Sequence, residues 1–530
     1  METVLIGIDA ACAEIVDPLI ETGSLPTLAS ILEAGGRAPL RSQIPPWTAS
    51  AWPSIYTGVN PGKHGVYGFL TYEGYDWEVV TYGDVAELSL WEILAEHEKS
   101  SVVVNVPVTA PPEHFDGALI PGYVAPENPT TVPDDALERV RESCGEYRVY
   151  PDDDRDPYGE YPAVVEMRGD AFCHLADEIE PAFGFVQFQV TDSIFHEQPD
   201  DWELVKRVYE AVDQQVSRIV DRYDPETVII VSDHGMGRYD EYEFRVNEYL
   251  DSEGFLETTI GAEGMPAWLP ILDERLRSTD EDVDGSGRAL TPWLIRTAAR
   301  MGMTPERAGR LLRTMGLDHV VRNRLSASAK RAGREQVDFK NSQAYMRSRI
   351  ELGIRLNVEG REPDGVVSPG DVEEITQELI QALSTIETPA GDPVFDDVAP
   401  AEEYFWGPYA DEGVDIVTVP AGFDQFLSAD LKGDHFGEPP EPWNHKMDGI
   451  LAIRGPHVGE NEELSPQNLL DVAPTVLATM GIPASDRMDG DVVVPIPPAG
   501  TESYRTVDRD GPSAGTTDGV EERLEAIGYL

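Results

Sequence analysis

Four stretches of the chain are dominated by aliphatic, aromatic and β-branched residues: Thr3 to Ile8 (TVLIGI), Ser101 to Val108 (SVVVNVPV), Phe183 to Val190 (FGFVQFQV) and Thr227 to Val231 (TVIIV). A strand with one wet face alternates apolar and polar positions, whereas one buried on both faces reads as continuous. These four runs therefore predict the centre of a parallel sheet. Trp202 to Tyr223 has a different period, with apolar residues at Leu204, Val205, Val208, Ala211, Val212, Val216, Ile219 and Val220, which predicts a long amphipathic helix. Pro26 to Gly35 stops on a glycine and Ser89 to His97 starts on a serine, and both predict helices. Further strands are expected at Ile350 to Val358, Asp415 to Val419 and Asp448 to Arg454, with helices at Val372 to Leu383 and Leu469 to Met480. Strands alternating with helices predict an α/β fold: a doubly wound, mostly parallel sheet sandwiched by helices.

The pattern breaks twice. From Thr258 to Gln336 it turns to helices with polar, Arg-rich faces, including Ala289 to Met301 and Pro305 to Met315. Residues 258–337 are therefore expected to form a helical insertion or cap, dividing an α/β domain made of residues 1–257 and 338–498. From Pro495 onward Pro, Gly, Ser, Thr and Asp dominate, so 499–530 is expected to be an acidic tail closing in a short helix, Val520 to Leu530.

At 530 residues and 41% hydrophobic content the chain can bury a sizeable core. Its charge changes the picture more. There are 98 acidic against 40 basic residues, a formal net charge of −58, and only seven of the basic residues are Lys. Such a surface repels itself at ordinary ionic strength, but the screening length shrinks to about 3 Å at 1 M salt. Acid excess with scarce Lys resembles the halophilic type. The acids are spread through every segment, which argues against an acidic arm for a basic partner, and extended docking on nucleic acid or on an anionic membrane is disfavoured. The oligomeric state is left open. Cys12, Cys144 and Cys173 are odd in number with no CxxC, so neither a disulfide framework nor a thiolate metal site is supported. The start of the chain enters a strand at once, and no window reaches the ~18 apolar residues of a membrane span. A cytoplasmic location is expected.

The strand runs end in polar side chains. TVLIGI delivers Asp9, FGFVQFQV runs into Asp192 and His196, and TVIIV delivers Asp233 and His234. Ligands of α/β sheets lie at the carboxyl ends of the strands, although an Asp that opens a loop or caps a helix gives the same pattern. Asp192 and His196, four apart, can both be pointed at one cation by a single helical turn. Asp233 and His234 adjoin, so on an extended strand they would face opposite ways unless Gly235 permits a turn. Thr48 stands behind Pro45 and Pro46 at the head of a short helix of small residues, where unpaired N–H groups would hold a tetrahedral anion. It either caps that helix or acts as a nucleophile, and Pro53 kinks or restarts the helix. Hard or borderline ligands with a hydroxyl to be ionised are what a two-metal hydrolytic site requires.

GIDA at Asp9, PPWTASAWPSIYTGVNPGKHGVYGF at Thr48, DSIFH at Asp192 and His196, VSDHGMG at Asp233 and His234, and NHKMDGILAIRGP at His445 follow one another along the chain. In this order they resemble the alkaline phosphatase superfamily, within the type I phosphodiesterase/nucleotide pyrophosphatase group and its phosphohydrolase or phosphomutase relatives. The resemblance implies an alkaline phosphatase-like fold and two divalent metal ions, zinc as first expectation and manganese as second. Asp9, Thr48, Asp233 and His234 would hold one ion, and Asp192, His196 and His445 the other. His435 and His457 compete for the last position, but the HKMDG of His445 directly precedes a strand, as in the family. Thr48 would be the nucleophile, with a phospho-threonine intermediate and the backbone N–H of Ala49 on a phosphoryl oxygen. The implied substrate is a small-molecule phosphate ester, diester or monoester. A phosphomutase, and a non-catalytic metal-stabilised binding protein, are the alternatives. Nucleotide pyrophosphatases place an Asn some way beyond the nucleophile; the corresponding neighbourhood here ends in Gly68-Phe69, with Asn60 earlier in the turn. Thr48 cannot become formylglycine, which disfavours sulfate esters, and His64 is expected to be a structural turn residue.

Overall fold

The Val/Ile-rich runs lie side by side in the middle of one sheet. The computed structural model describes residues 1–152, 155–260, 335–493, 495–507 and 509. The strands that position the site are β1 (Thr3–Ile8), β2 (Gly36–Arg41), β3 (Ser101–Val104), β4 (Gly117–Ile120), β5 (Phe183–Phe188), β6 (Thr227–Val231), β7 (Gly235–Arg238), β8 (Trp443–Lys446) and β9 (Asp448–Arg454). The main sheet runs β2-β9-β6-β1-β5-β3-β4, with a short strand, Glu462–Glu463, outside β2. The neighbours from β6 to β4 are all parallel, and β9 is antiparallel to both β6 and β2. The expected α/β architecture is therefore the observed one, antiparallel only at β9. Ile8 pairs with Phe188 in β5, and Gly7 with Val231 in β6, so the three central strands end at the same level. Every residue of β1, β5 and β6 is buried.

Helices cover both faces: α1 (Thr48–Thr57), α2 (Pro157–Ile179), α3 (Val190–Glu197), α4 (Trp202–Tyr223) and α5 (Val472–Thr479) among them. α2, 23 residues long, lies outside the segments the periodicity picked out, because Pro157 and Pro162 punctuate its first turns. It packs on α4 at Gly169, where a side chain would collide with Gln215. Three expected strands are shorter than the stretches that predict them. The one expected at Ile350 to Val358 is only Gly353–Leu356, because Leu352 turns at a left-handed φ of 48°. β3 stops at Val104 because Asn105 adopts a left-handed φ of 65°, and Val190 already belongs to α3.

Beyond the main sheet, Ala344–Tyr345, Gly353–Leu356, Ile416–Pro420 and Phe395–Pro400 form an antiparallel four-stranded sheet beside the helix Val372–Leu383. Thr258–Ile260 pairs antiparallel with Glu335–Val337, so the chain leaves and returns at one place. The helices expected between them, and the terminal helix from Val520, lie outside the described residues. Of the tail, Thr501–Glu502 pairs with Ala484–Ser485, and Arg509 reaches Glu92 Oε2 at 2.6 Å. Among the described residues no helix is long and apolar enough to cross a membrane.

Candidate metal centre and nucleophile

Five segments meet at the carboxyl end of the central strands. Asp9 follows β1 directly, Asp192 and His196 stand one turn apart on α3, and Thr48 is the first residue of α1. Asp233 and His234 lie in the bend between β6 and β7. That bend lets both side chains face one space, and Gly235 permits it because a side chain there would strike the Asp448 carbonyl. His445 sits on β8, which pairs with β7 in the register His445 to Met236. His435 instead packs its ring against Tyr249, and His457 is exposed. Asp9, Thr48, Asp192, Asp233, His234 and His445 are buried, and the His196 side chain is 4% exposed.

The imidazoles share one arrangement. His234 Nδ1 lies 2.9 Å from the Gly235 carbonyl, His445 Nδ1 lies 2.9 Å from the Pro46 carbonyl, and His196 Nδ1 lies 3.0 Å from Glu441 Oε2. Each acceptor holds the proton on Nδ1, which leaves Nε2 as the nitrogen able to act as a ligand. The Nε2 atoms converge: His196 to His445 is 3.3 Å, and each approaches Asp192 Oδ1, at 3.3 and 3.4 Å. His234 Nε2 lies 3.3 Å from Asp233 Oδ2, 3.6 Å from Asp9 Oδ1 and 3.4 Å from Thr48 Oγ1.

The carboxylates test whether divalent ions fit. Trp52 Nε1 and Gln187 Nε2 donate to Asp9 Oδ2 at 3.1 and 2.6 Å, and the Ala10 N–H donates to Asp233 Oδ1 at 3.3 Å. Asp9 Oδ1, Asp233 Oδ2 and Asp192 Oδ1 are buried without a hydrogen bond. Orphaned buried oxygens are costly unless something of opposite charge meets them. Ligand atoms of Asp9, Asp233 and His234 lie within 4.8 Å of one another, as do those of Asp192, His234 and His445, so His234 borders both groups. The donor set fits two divalent cations.

Electrostatics agree. Burial, then the charges of Asp233 and Asp192, push the Asp9 carboxyl well above its ordinary value, and burial also raises Asp233. Burial opposes ionisation of Asp192 too, but His196 and His445 outweigh it and hold the carboxyl low. Burial works against charge on His196, yet Asp192 and Glu441 raise it to about 10, whereas burial and the neighbouring His234 lower His445 to about 3. Three carboxylates packed this closely cannot all be ionised without added positive charge.

α1 is pinned by a closed hydrogen-bond circuit. The Val66 N–H donates to His64 Nδ1, leaving the proton on Nε2, which donates to Ser54 Oγ at 2.8 Å. Ser54 donates to Gln43 Oε1, Gln43 Nε2 to Ser50 Oγ at 2.6 Å, and Ser50 back to the Val66 carbonyl at 2.8 Å. Burial drives the His64 pKa down to about 3, so the ring is neutral and fixes the turn after α1. Phe69 is buried with its ring edge-on to Tyr123 at 6.0 Å.

Glu441, Gln187 and Trp52 escaped the sequence argument. Gln187 carried a signal: it is the lone amide inside the FGFVQF strand, and a fully buried amide must have a polar partner. Nothing local marks Glu441, which lies 245 residues from His196.

Comparison with known proteins supplies an independent line. The family model described as type I phosphodiesterase / nucleotide pyrophosphatase matches residues 3–411, a span that holds every segment of the site except the one bearing His445. Comparison with curated protein sequences gave no match. Among solved structures, phosphonoacetate hydrolase from Sinorhizobium meliloti 1021 in complex with phosphonoacetate is similar at 16% identity and a TM-score of 0.55, covering 89% of this chain and 94% of that one. Human ectonucleotide pyrophosphatase / phosphodiesterase 5 is similar at 12% identity and a TM-score of 0.50, covering 93% and 97%. At these identities the likeness is one of fold.

Proposed function

The chain belongs to the type I phosphodiesterase / nucleotide pyrophosphatase family, and from that premise we propose that it hydrolyses small-molecule phosphate esters with Thr48 as nucleophile and two divalent metal ions. The observation that carries this is the convergence of three carboxylates and three imidazoles beside a buried hydroxyl, with Thr48 Oγ1 3.4 Å from His234 Nε2. Asp9, Thr48, Asp233 and His234 would hold one ion, and Asp192, His196 and His445 the other. Zinc suits this donor set first, and manganese second. When bound, the ions supply positive charge that lowers the pKa of the threonine hydroxyl and offsets the charge on the phosphoryl oxygens.

The chain's own groups do the rest. Asp9 and Asp233 each have one oxygen tied to the protein, which turns the other toward Thr48's neighbourhood. Thr48 Oγ1, once deprotonated, bonds to phosphorus, and the ester P–O bond breaks with its electron pair leaving on the departing oxygen. Ala49 stands at the second position of α1, where a backbone N–H has no acceptor within the helix, so it donates to a non-bridging oxygen. Water then attacks the phospho-threonine, releases the phosphate and restores the hydroxyl.

Supplying zinc or manganese and assaying aryl phosphate mono- and diesters at molar salt, with phosphonoacetate and nucleotide diesters beside them, tests the reaction and the substrate class. Thr48→Ala is expected to lower kcat by more than about a thousandfold. Equal turnover by that variant would remove Thr48 from the chemistry, and a metal-loaded wild type that turns over none of these esters would favour a metal-stabilised binding role.

A further inference from the structure

His196 differs from its two partners in what holds its Nδ1. His234 and His445 donate to the backbone carbonyls of Gly235 and Pro46, acceptors that no substitution removes, whereas His196 meets a side chain, Glu441 Oε2, at 3.0 Å. Glu441 is itself held from two directions. Arg349 Nη2 donates to its Oε1 at 3.2 Å, and Asn444 Nδ2 donates to its Oε2 at 3.2 Å. Asn444 Oδ1 also accepts the His445 N–H at 2.8 Å, so one short segment carries a ligand and the acceptor that orients another ligand. The Arg349 guanidinium rests over the Phe426 ring, 4.8 Å from its centroid.

We propose that Glu441 is a positioning residue for one metal ion only, that of Asp192, His196 and His445. Its hydrogen bond holds His196 in the orientation that turns Nε2 toward Asp192, and Arg349 fixes Glu441 in turn. A carboxylate behind an imidazole both locks the ring and makes its other nitrogen a better donor, and losing it typically costs 10- to 100-fold in metal affinity. The ion beside Asp9 and Asp233 has no such dependence, because its imidazole is oriented by the backbone. The inference rests on the two-metal reading above.

Calorimetric titration of the metal-stripped full chain with zinc, and separately with manganese, tests it. Wild type is expected to take two ions. Glu441→Leu is expected to weaken one of them by about 100-fold and leave the other unchanged, and Glu441→Gln, whose amide oxygen still accepts from Nδ1, by about 10-fold. Thermal unfolding of the metal-free variants checks that they fold. If Glu441→Leu does not fold, the Gln variant decides alone. Variants that bind both ions as wild type does, or lose both affinities equally, overturn the role of Glu441 while leaving the two-metal site standing. A wild type that takes fewer than two ions overturns the site itself, and the inference with it.

Discussion

At the residue scale, the centre is built from side chains that each do two things with two atoms. One atom is fastened to the fold, as at Asp9 Oδ2, Asp233 Oδ1 and the three Nδ1 atoms, and the other is presented to the centre. The fastening is what residue spacing cannot reveal, because its partners come from distant segments. Gln187→Leu, which removes the 2.6 Å donor to Asp9 but keeps the volume of a core strand, is expected to weaken metal binding about tenfold. Titration calorimetry checks this, and unchanged affinity would mean that Trp52 alone orients Asp9. His64 makes a prediction of another kind. Its folded pKa of about 3 lies below the ordinary 6.5, so between those values the unfolded chain binds a proton that the folded chain excludes. Its contribution to stability therefore falls as pH drops through that window and is constant above it. The slope of melting temperature against pH between about 3 and 6.5 is expected to flatten in His64→Gln.

At the scale of elements, local signals read well where the physics is local. β1, β6, β9, α4 and the helix Val372–Leu383 have the bounds that their apolar periods predict. Errors arise where a backbone conformation or a proline intervenes. Asn105 in a left-handed conformation ends β3 inside an apolar run, and Pro162 hides the first turns of α2. The strand-end residues Asp9, Asp192, Asp233 and His234 were legible because a parallel sheet puts its carboxyl ends together. His445 was not legible from spacing, since it arrives on β8 by pairing with β7, and only its motif pointed to it. The close fit of α1 on β1 is tested at Gly7, where an added methyl would press into the Trp52 ring that donates to Asp9. Gly7→Ala is expected to cost about 1–3 kcal/mol of stability by denaturant unfolding. It should also loosen metal binding, and a variant as stable as wild type would show that the helix can shift freely.

At the scale of the whole molecule, a net charge of −58 sits around a centre that itself gathers three carboxylates. Surface repulsion is relieved by salt and the central repulsion by metal, so two independent additions should stabilise the fold. The melting temperature is expected to rise steeply from dilute buffer to molar potassium chloride as the screening length falls from about 10 to about 3 Å. It should rise again when zinc is added in excess, each bound ion contributing about 2.7 kcal/mol of stability at a hundredfold over its Kd. A melting temperature indifferent to salt would contradict the halophilic expectation drawn from the acidic residues. The measurement that bears most directly on the central claim is anomalous X-ray scattering from crystals grown with zinc. Two peaks are predicted about 4 Å apart, one bounded by Asp9, Thr48, Asp233 and His234 and the other by Asp192, His196 and His445. A single peak, or zinc bound away from these side chains, would contradict the account.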